Sequence, residues 1–389
     1  MTLKEELEIL RGEPIKVFEG TPMDIPCLEK SDRELLCRHP VVSVHMLAYN
    51  HEPYIRQAIE SVMMQKTDFE FELVIGEDAS VDKTREICFE YQARYPDKIR
   101  VLWWHENLNR VRHPAGNNAR RTTAHCRGEF IAFCEGDDYW VDPLKLQKQY
   151  SLMRKHPNVA LIFAQADVLY QEKNTIQPSL VDKKFLGLQS GTSFFKELAT
   201  ERQFSYKRVD PNRLRTPTVM LSANAMRFAK KKHEEIFSWR LPIGDTTLWL
   251  ALASCGDVFF MPDVTSVYRR HSRSVSSSMH CEVMRDASLV KVYFCCREYG
   301  MDTDQVICYF REEFFFYWVS ILSKMPSFER KERISCLKKE RLFQIVFDGL
   351  LTLPYRILLS LDFYKPTLVK LLDRICRRLA CMKSALARN

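Results

Sequence analysis

The chain has 389 residues, with 58 Lys and Arg against 50 Asp and Glu, a net charge of +8 and an isoelectric point near 8.8. Hydrophobic residues make up 46% and charged residues 28%, a balance that excludes a disordered or fibrous chain and leaves material for a large core. The basic excess is too mild to argue for a nucleic-acid partner, and the length allows two domains or one domain with an appendage.

Residues 1–38 predict a short helix followed by a Pro-containing, acid-rich lead-in. A regular alternation starts at Val41. Val41–Ala48 reads as a strand, Tyr54–Gln65 as a helix and Phe71–Ile75 as a second strand. Asp82–Tyr95 reads as a helix capped by a Ser80 or Asp82 oxygen. Ile99–Trp103 is a third strand, Ala115–Cys126 a third helix and Phe130–Cys134 a fourth strand. A helix with Pro143 in its first turn runs to His156, and Val159–Ala166 follows as a strand. Strands that alternate with helices of this length imply βαβ units and a mainly parallel sheet. The rhythm is lost over 170–216, which reads as a binding loop or lid. It resumes at Thr218–Ser222, Asp245–Ser254 and Val258–Met261, and from Cys281 the pattern is helical.

Three polar loops follow predicted parallel strands. They carry Tyr49-Asn50-His51, then Glu77-Asp78-Ala79-Ser80, then Glu135-Gly136-Asp137-Asp138. In an open α/β sheet, ligands bind at the carboxyl ends of the strands, so neighbouring strands bring these loops to one edge. The carboxylates of the third loop repel one another unless a cation or proton neutralises them. A hard divalent ion takes one or two carboxylates plus substrate phosphates. The pattern therefore predicts Mg²⁺ or Mn²⁺ holding a diphosphate, with a carboxylate for base and ribose donors and an aromatic ring over the base. The alternatives are plain ones: a solvated acidic turn at 135–138, and a helix cap at 78–80.

The order AYNHEPYI, GEDASVDKT, RGEFIAFCEGDDYWVDPLKLQKQ resembles family 2 glycosyltransferases of the GT-A fold, and within them bacterial members with an EGDDYW stretch. The resemblance covers about 40–280 and implies an α/β GT-A (Rossmann-like) domain at 39–280, between a lead-in at 1–38 and a helical region at 281–389. It implies an inverting, metal-dependent enzyme that moves a sugar from a nucleotide donor, UDP-linked, to a glycan or lipid-linked acceptor. Asp78 would recognise uracil, with Tyr49, Asn50 and Glu77 beside it. Glu135 and Asp137 occupy the D-x-D element of ribose and metal contacts. Glu at its first position departs from the pattern and puts more weight on Asp137, with Asp138 the adjoining acid. LPIGDTTLW resembles the segment that bears the catalytic base, at Asp245, although an Asp there also suits a helix cap. VYRRH resembles a Y-R-x-H element, so His271 would join the metal shell and Arg269 and Arg270 would face the diphosphate. Trp140 suits either a sugar face or the core. Gly116–Arg121 holds the Asn and Arg that family members carry before the fourth strand, in a register the sequence leaves open.

Two other enzyme-free or related readings compete. A sugar nucleotidyltransferase needs a glycine-rich triphosphate loop, and LAYNHEPY has no glycine. An inactive nucleotide-sugar-binding module sits poorly with Asp137, Asp245 and His271 all present.

Leu368, Leu371, Leu372, Ile375, Leu379, Met382 and Leu386 form one apolar stripe, flanked by Lys370, Arg374, Arg377, Arg378 and Lys383. This predicts a helix lying on a membrane surface, or one packed on the enzyme or on a second copy in a homo-oligomer. The 13 cysteines include no CxxC pair, which points to reduced thiols. Met1–Arg11 lacks the apolar stretch of a signal peptide. The expected location is the cytoplasm, at the inner face of its membrane.

Overall fold

The computed structural model describes residues 2–111, 116–178, 185–194, 214–241, 244–272 and 280–307. Its eleven strands are β1 (Leu28–Lys30), β2 (Val42–Ala48), β3 (Phe71–Glu77), β4 (Ile99–Trp103), β5 (Phe130–Phe133), β6 (Tyr139–Trp140), β7 (Val159–Tyr170), β8 (Thr175–Pro178), β9 (Gly187–Gln189), β10 (Met220–Ser222) and β11 (Asp257–Arg270). They form one sheet in the order β1-β4-β3-β2-β5-β10-β7-β11-β6, with β8 on β7 and β9 on β11.

Strands β4, β3, β2 and β5 are parallel neighbours, as the alternation predicts. Every residue of β3 is buried and only Leu47 of β2 is partly exposed, because helices cover both faces. One face carries Val44, Met46, Leu73 and Ile75 against the helices α2 (Ile55–Met63), α3 (Thr84–Arg94) and α6 (Lys145–Lys155). The other carries Ile131, Phe133, Phe163 and Leu221 against the helices Ala223–Lys232, Gly244–Ala253 and His280–Tyr299. Strand β10 runs antiparallel between β5 and β7, and β11 pairs parallel with β7.

Strand β11 differs most from its expectation. It does not end at Met261 but continues to Arg270, paired with Tyr170 of β7. The register slips between Phe260 and Val264, where Pro262 withholds a ladder donor. A bulge absorbs the proline, and the strand carries 267–270 to the functional edge.

The packing also crosses the expected boundaries at 38 and 280. Helix α1 (Leu3–Arg11) begins with a Thr2–Glu5 capping box and buries Leu7 and Leu10 in the same cluster as Leu289, Tyr293 and Phe294. Arg11 Nε lies 3.3 Å from the buried Asp286 carboxylate. The basic stripe at 368–386 lies outside the described residues. Among those described, no helix is long and apolar enough to cross a membrane.

Candidate active site

The loops after β3, β2 and β5 meet at the carboxyl edge and are sewn together by backbone hydrogen bonds. Asn50 N donates to Ser80 Oγ at 3.0 Å, and Val81 N returns a bond to Asn50 Oδ1 at 2.9 Å. Asp78 N donates to Ala48 O at 3.0 Å, and Gly136 N to Leu47 O at 2.9 Å. Asn50 and Ala79 both adopt left-handed backbone, at φ 54° and 59°. Such strain in non-glycine residues gathers at binding sites, where the surroundings hold it in place. A Cβ on Gly136 would stand 2.8 Å from both Leu47 O and His51 Nδ1, so only glycine lets the acidic loop lie this close to the first one.

Each predicted residue has a definite place. Tyr49 is exposed at the rim, 42% accessible. Glu77 is buried and accepts from Arg85 Nε and Ser80 N, both at 2.6 Å, so it braces its loop. Asp78 is buried and accepts from Leu108 N at 2.8 Å. Glu135 accepts from Leu47 N at 3.2 Å. Its carboxyl is pushed up to about 8 by burial and by the Asp137 and Asp245 carboxylates. Asp138 is buried and accepts from Arg269 N at 2.8 Å; burial, then the neighbouring Asp137, holds its carboxyl well above the usual range.

Asp137 is held differently from its neighbours. Its Oδ2 lies 3.0 Å from His271 Nε2 and 3.9 Å from His51 Nε2. Burial alone would raise its carboxyl, but the His271 hydrogen bond and the two imidazoles outweigh that and lower it. A separation of 3.0 Å matches two adjacent ligands at about 2.1 Å on one octahedral ion. Among the described residues no group of three His, Cys, Asp or Glu side chains closes into a metal cage. Asp137 and His271 thus fit an ion whose remaining positions are left to phosphate and water oxygens.

Asp245 lies in the first turn of the helix Gly244–Ala253, exposed at the edge. Its Oδ1 accepts from Thr246 N at 2.6 Å. Crowding by surrounding protein raises its carboxyl above the ordinary value. Its negative charge adds to the effects that raise Glu135 in the acidic loop.

Two of the residues considered for the ligand, Arg269 and Trp140, have protein partners in the structure. The Arg269 guanidinium is spent on protein: Nε donates to Asp137 O at 2.7 Å, Nη2 to Gln57 Oε1 at 2.7 Å and Nη1 to Gln171 Oε1. It also lies between the rings of Tyr54 and Tyr139, 4.7 and 5.3 Å from their centroids. Arg269 clamps the acidic loop and offers no free fork to a diphosphate, whereas Arg270 lies 5.9 Å from the centroid of the Tyr170 ring. Trp140 is a core residue, 2% accessible, with Nε1 donating to Pro217 O at 2.8 Å.

Beneath Trp140, Lys145 Nζ is buried, 4.2 Å from the indole centroid and 2.8 Å from Gln149 Oε1. Burial lowers its ammonium to about 7 from 10.5. The unfolded chain therefore binds the extra proton between pH 7 and 10.5, so this group makes stability rise with pH across that window and contributes no slope below it. Denaturant titrations are expected to show that rise in the parent chain and to show it diminished in Lys145→Met, which also melts higher at pH 7. Equal pH slopes in the two proteins would contradict the assignment.

The helix α5 (Asn118–Ala124) resolves the register the sequence leaves open. Gly76 allows it to lie on β3, where a Cβ would stand 1.9 Å from Thr122 Oγ1. Arg121 is wholly buried beside this edge, with Nη2 donating to Asn118 Oδ1 at 2.8 Å and to Glu77 O at 3.3 Å. Its Nε and Nη1 have no hydrogen-bond partner among the described residues. The three-residue spacing of Asn118 and Arg121 on one helix face is the signal for this pair.

Comparison with known proteins agrees with this architecture. The family model described as glycosyl transferase family 2 matches residues 43–236. An uncharacterized protein of Mycobacterium tuberculosis is 31% identical over 241 residues, and the match covers 62% of each chain, so the chain spans less than two thirds of that relative. The minor teichoic acid biosynthesis protein GgaA of Bacillus subtilis is 30% identical over 124 residues, 31% of this chain and 27% of GgaA. Among solved structures, S. aureus TarS 1-349 in complex with UDP-GlcNAc aligns with a TM-score of 0.53 at 19% identity, over 87% of this chain and 89% of that one. The fold is thus the GT-A type of α/β arrangement, and by the domain at 43–236 the chain belongs to glycosyl transferase family 2.

Proposed function

We propose that the chain transfers a sugar, with inversion, from a UDP-linked donor to a hydroxyl of a surface glycan or its lipid-linked precursor. The observation that carries this is the convergence of the Asp137–His271 pair, Glu135 and Asp245 at the edge where β3, β2 and β5 end. Asp78 takes the uracil and Glu135 the ribose, beside Tyr49 and Asn50. Asp137 and His271 hold a divalent ion, Mn²⁺ or Mg²⁺, which when bound neutralises the diphosphate. Asp245 removes the proton from the acceptor hydroxyl as it attacks the anomeric carbon, opposite the departing UDP. Arg269 keeps the metal loop in register. The same fold holds UDP-GlcNAc in TarS 1-349, and GgaA is named for teichoic acid biosynthesis; both are in keeping with this donor and acceptor class.

A thermal-shift screen of nucleotide sugars tests the reading, since a ligand that binds only the folded state stabilises it by about 2.7 kcal/mol at 100 times its Kd. A UDP sugar is expected to raise the melting temperature with Mn²⁺ and far less with EDTA. No shift with any nucleotide sugar would contradict it.

The basic stripe at 368–386 is proposed to hold the enzyme on the cytoplasmic face of an anionic membrane, at about 1 kcal/mol per cation near the surface. Full-length protein should co-sediment with anionic vesicles at low salt and be released by salt. Binding unchanged by deletion of 365–389 would contradict this.

A further inference from the structure

The opposite, amino-terminal edge of the sheet carries a second charged site. Glu72, the second residue of β3, is fully buried. It accepts from Ser43 Oγ at 2.6 Å, Arg100 Nη1 at 3.2 Å and Arg127 Nη2 at 2.6 Å. Arg100 also forks onto Glu29, at 2.8 and 3.1 Å. This network fixes two guanidinium groups in the wall of a cavity of about 300 Å³, which Glu29, Ser31, Leu36, Arg33 and Arg38 complete.

The charges around this cavity do not balance. Arg33, Arg38, Arg100 and Arg127 line it, against Glu29 in the lining and Glu72 behind it, an excess of two positive charges. Arg33 and Arg38 are exposed and make no ion pair with a described residue. Asp32, beside Arg33 in the chain, is turned to its own backbone and accepts from Glu34 N at 3.0 Å and Leu35 N at 3.2 Å. Guanidinium groups recognise oxyanions through paired N–H bonds; Arg33 and Arg38 can offer such pairs, whereas Arg100 and Arg127, held by Glu29, Glu72, His125 O and Cys37 O, add fixed positive charge to the wall.

We propose that this cavity binds a doubly charged oxyanion of the phosphate class, as inorganic phosphate or a phosphomonoester. The site is separate from the nucleotide edge, because Glu72 and Arg100 stand at the strand starts and the acidic loop at the strand ends. It takes no part in the sugar-transfer reading and stands or falls without it.

Calorimetry with inorganic phosphate, and in a second arm with glucose 1-phosphate, tests the site. EDTA removes any divalent ion that could hold the probe at the other edge, and chloride matches the ionic strength. One saturable site is expected for either probe. Arg33→Ala with Arg38→Ala should weaken it at least about tenfold, the effect of losing charged hydrogen bonds. Tighter binding of glucose 1-phosphate would assign the site to monoesters; tighter binding of phosphate would assign it to the free ion. The single variants Arg33→Gln and Arg38→Gln, both at exposed positions, repeat the test if the double variant melts early. No saturable binding, or the same affinity in folded variants, would overturn the proposal.

Discussion

Replacing Asp245 by Asn is expected to leave donor binding intact and to lower turnover by about 10²–10⁴-fold, the effect of losing a general base. The substitution is close to isosteric. Asn keeps an acceptor for the 2.6 Å bond from Thr246 N, so the start of the helix is preserved. Removing the negative charge also relieves Glu135, so the variant should melt no lower than the parent. Steady-state kinetics beside UDP-sugar calorimetry separates the effects: kcat falls while the donor Kd holds. Near-normal turnover would reduce Asp245 to a first-turn acid that merely complements the helix dipole.

Replacing Asp137 by Ala is expected to abolish the metal-dependent part of UDP binding, a loss of at least about 100-fold in the presence of Mn²⁺. Without this carboxylate the Asp137–His271 pair is reduced to its imidazole, a poor site for a hard ion. The fold should survive, because Asp137 is one of three crowded acids and its removal lowers the repulsion that raises Glu135 and Asp138. Calorimetry giving the same UDP affinity with and without metal in the parent chain would contradict the ligand role.

The parallel half of the sheet was legible in the sequence because strands buried on both faces are short, unbroken apolar runs. The acidic loop and its neighbours were legible for a related reason: polar residues directly after such runs must lie at the strand ends. Strand β11 was cut short because Pro262 and Asp263 interrupt the apolar run, and the bulge that absorbs them depends on pairing with β7. Arg269 read as a ligand-facing cation because nothing local marks Gln57, 212 positions away, or Gln171 as its partners. Trp140 could not be placed without Pro217 O, 77 positions on. Arg121 was hidden by a one-residue ambiguity in helix register, which Gly76 of β3 resolves. In each case the missing information is a contact between distant segments.

The most direct test is a crystal of the chain grown with UDP and Mn²⁺, with anomalous diffraction measured at the manganese edge. The account predicts a manganese peak within bonding distance of Asp137 Oδ2 and His271 Nε2, with the uracil against Asp78 and the diphosphate facing Asp245. A nucleotide bound away from the loops at 49–51, 77–80 and 135–138, or a manganese peak that touches neither Asp137 nor His271, would contradict it.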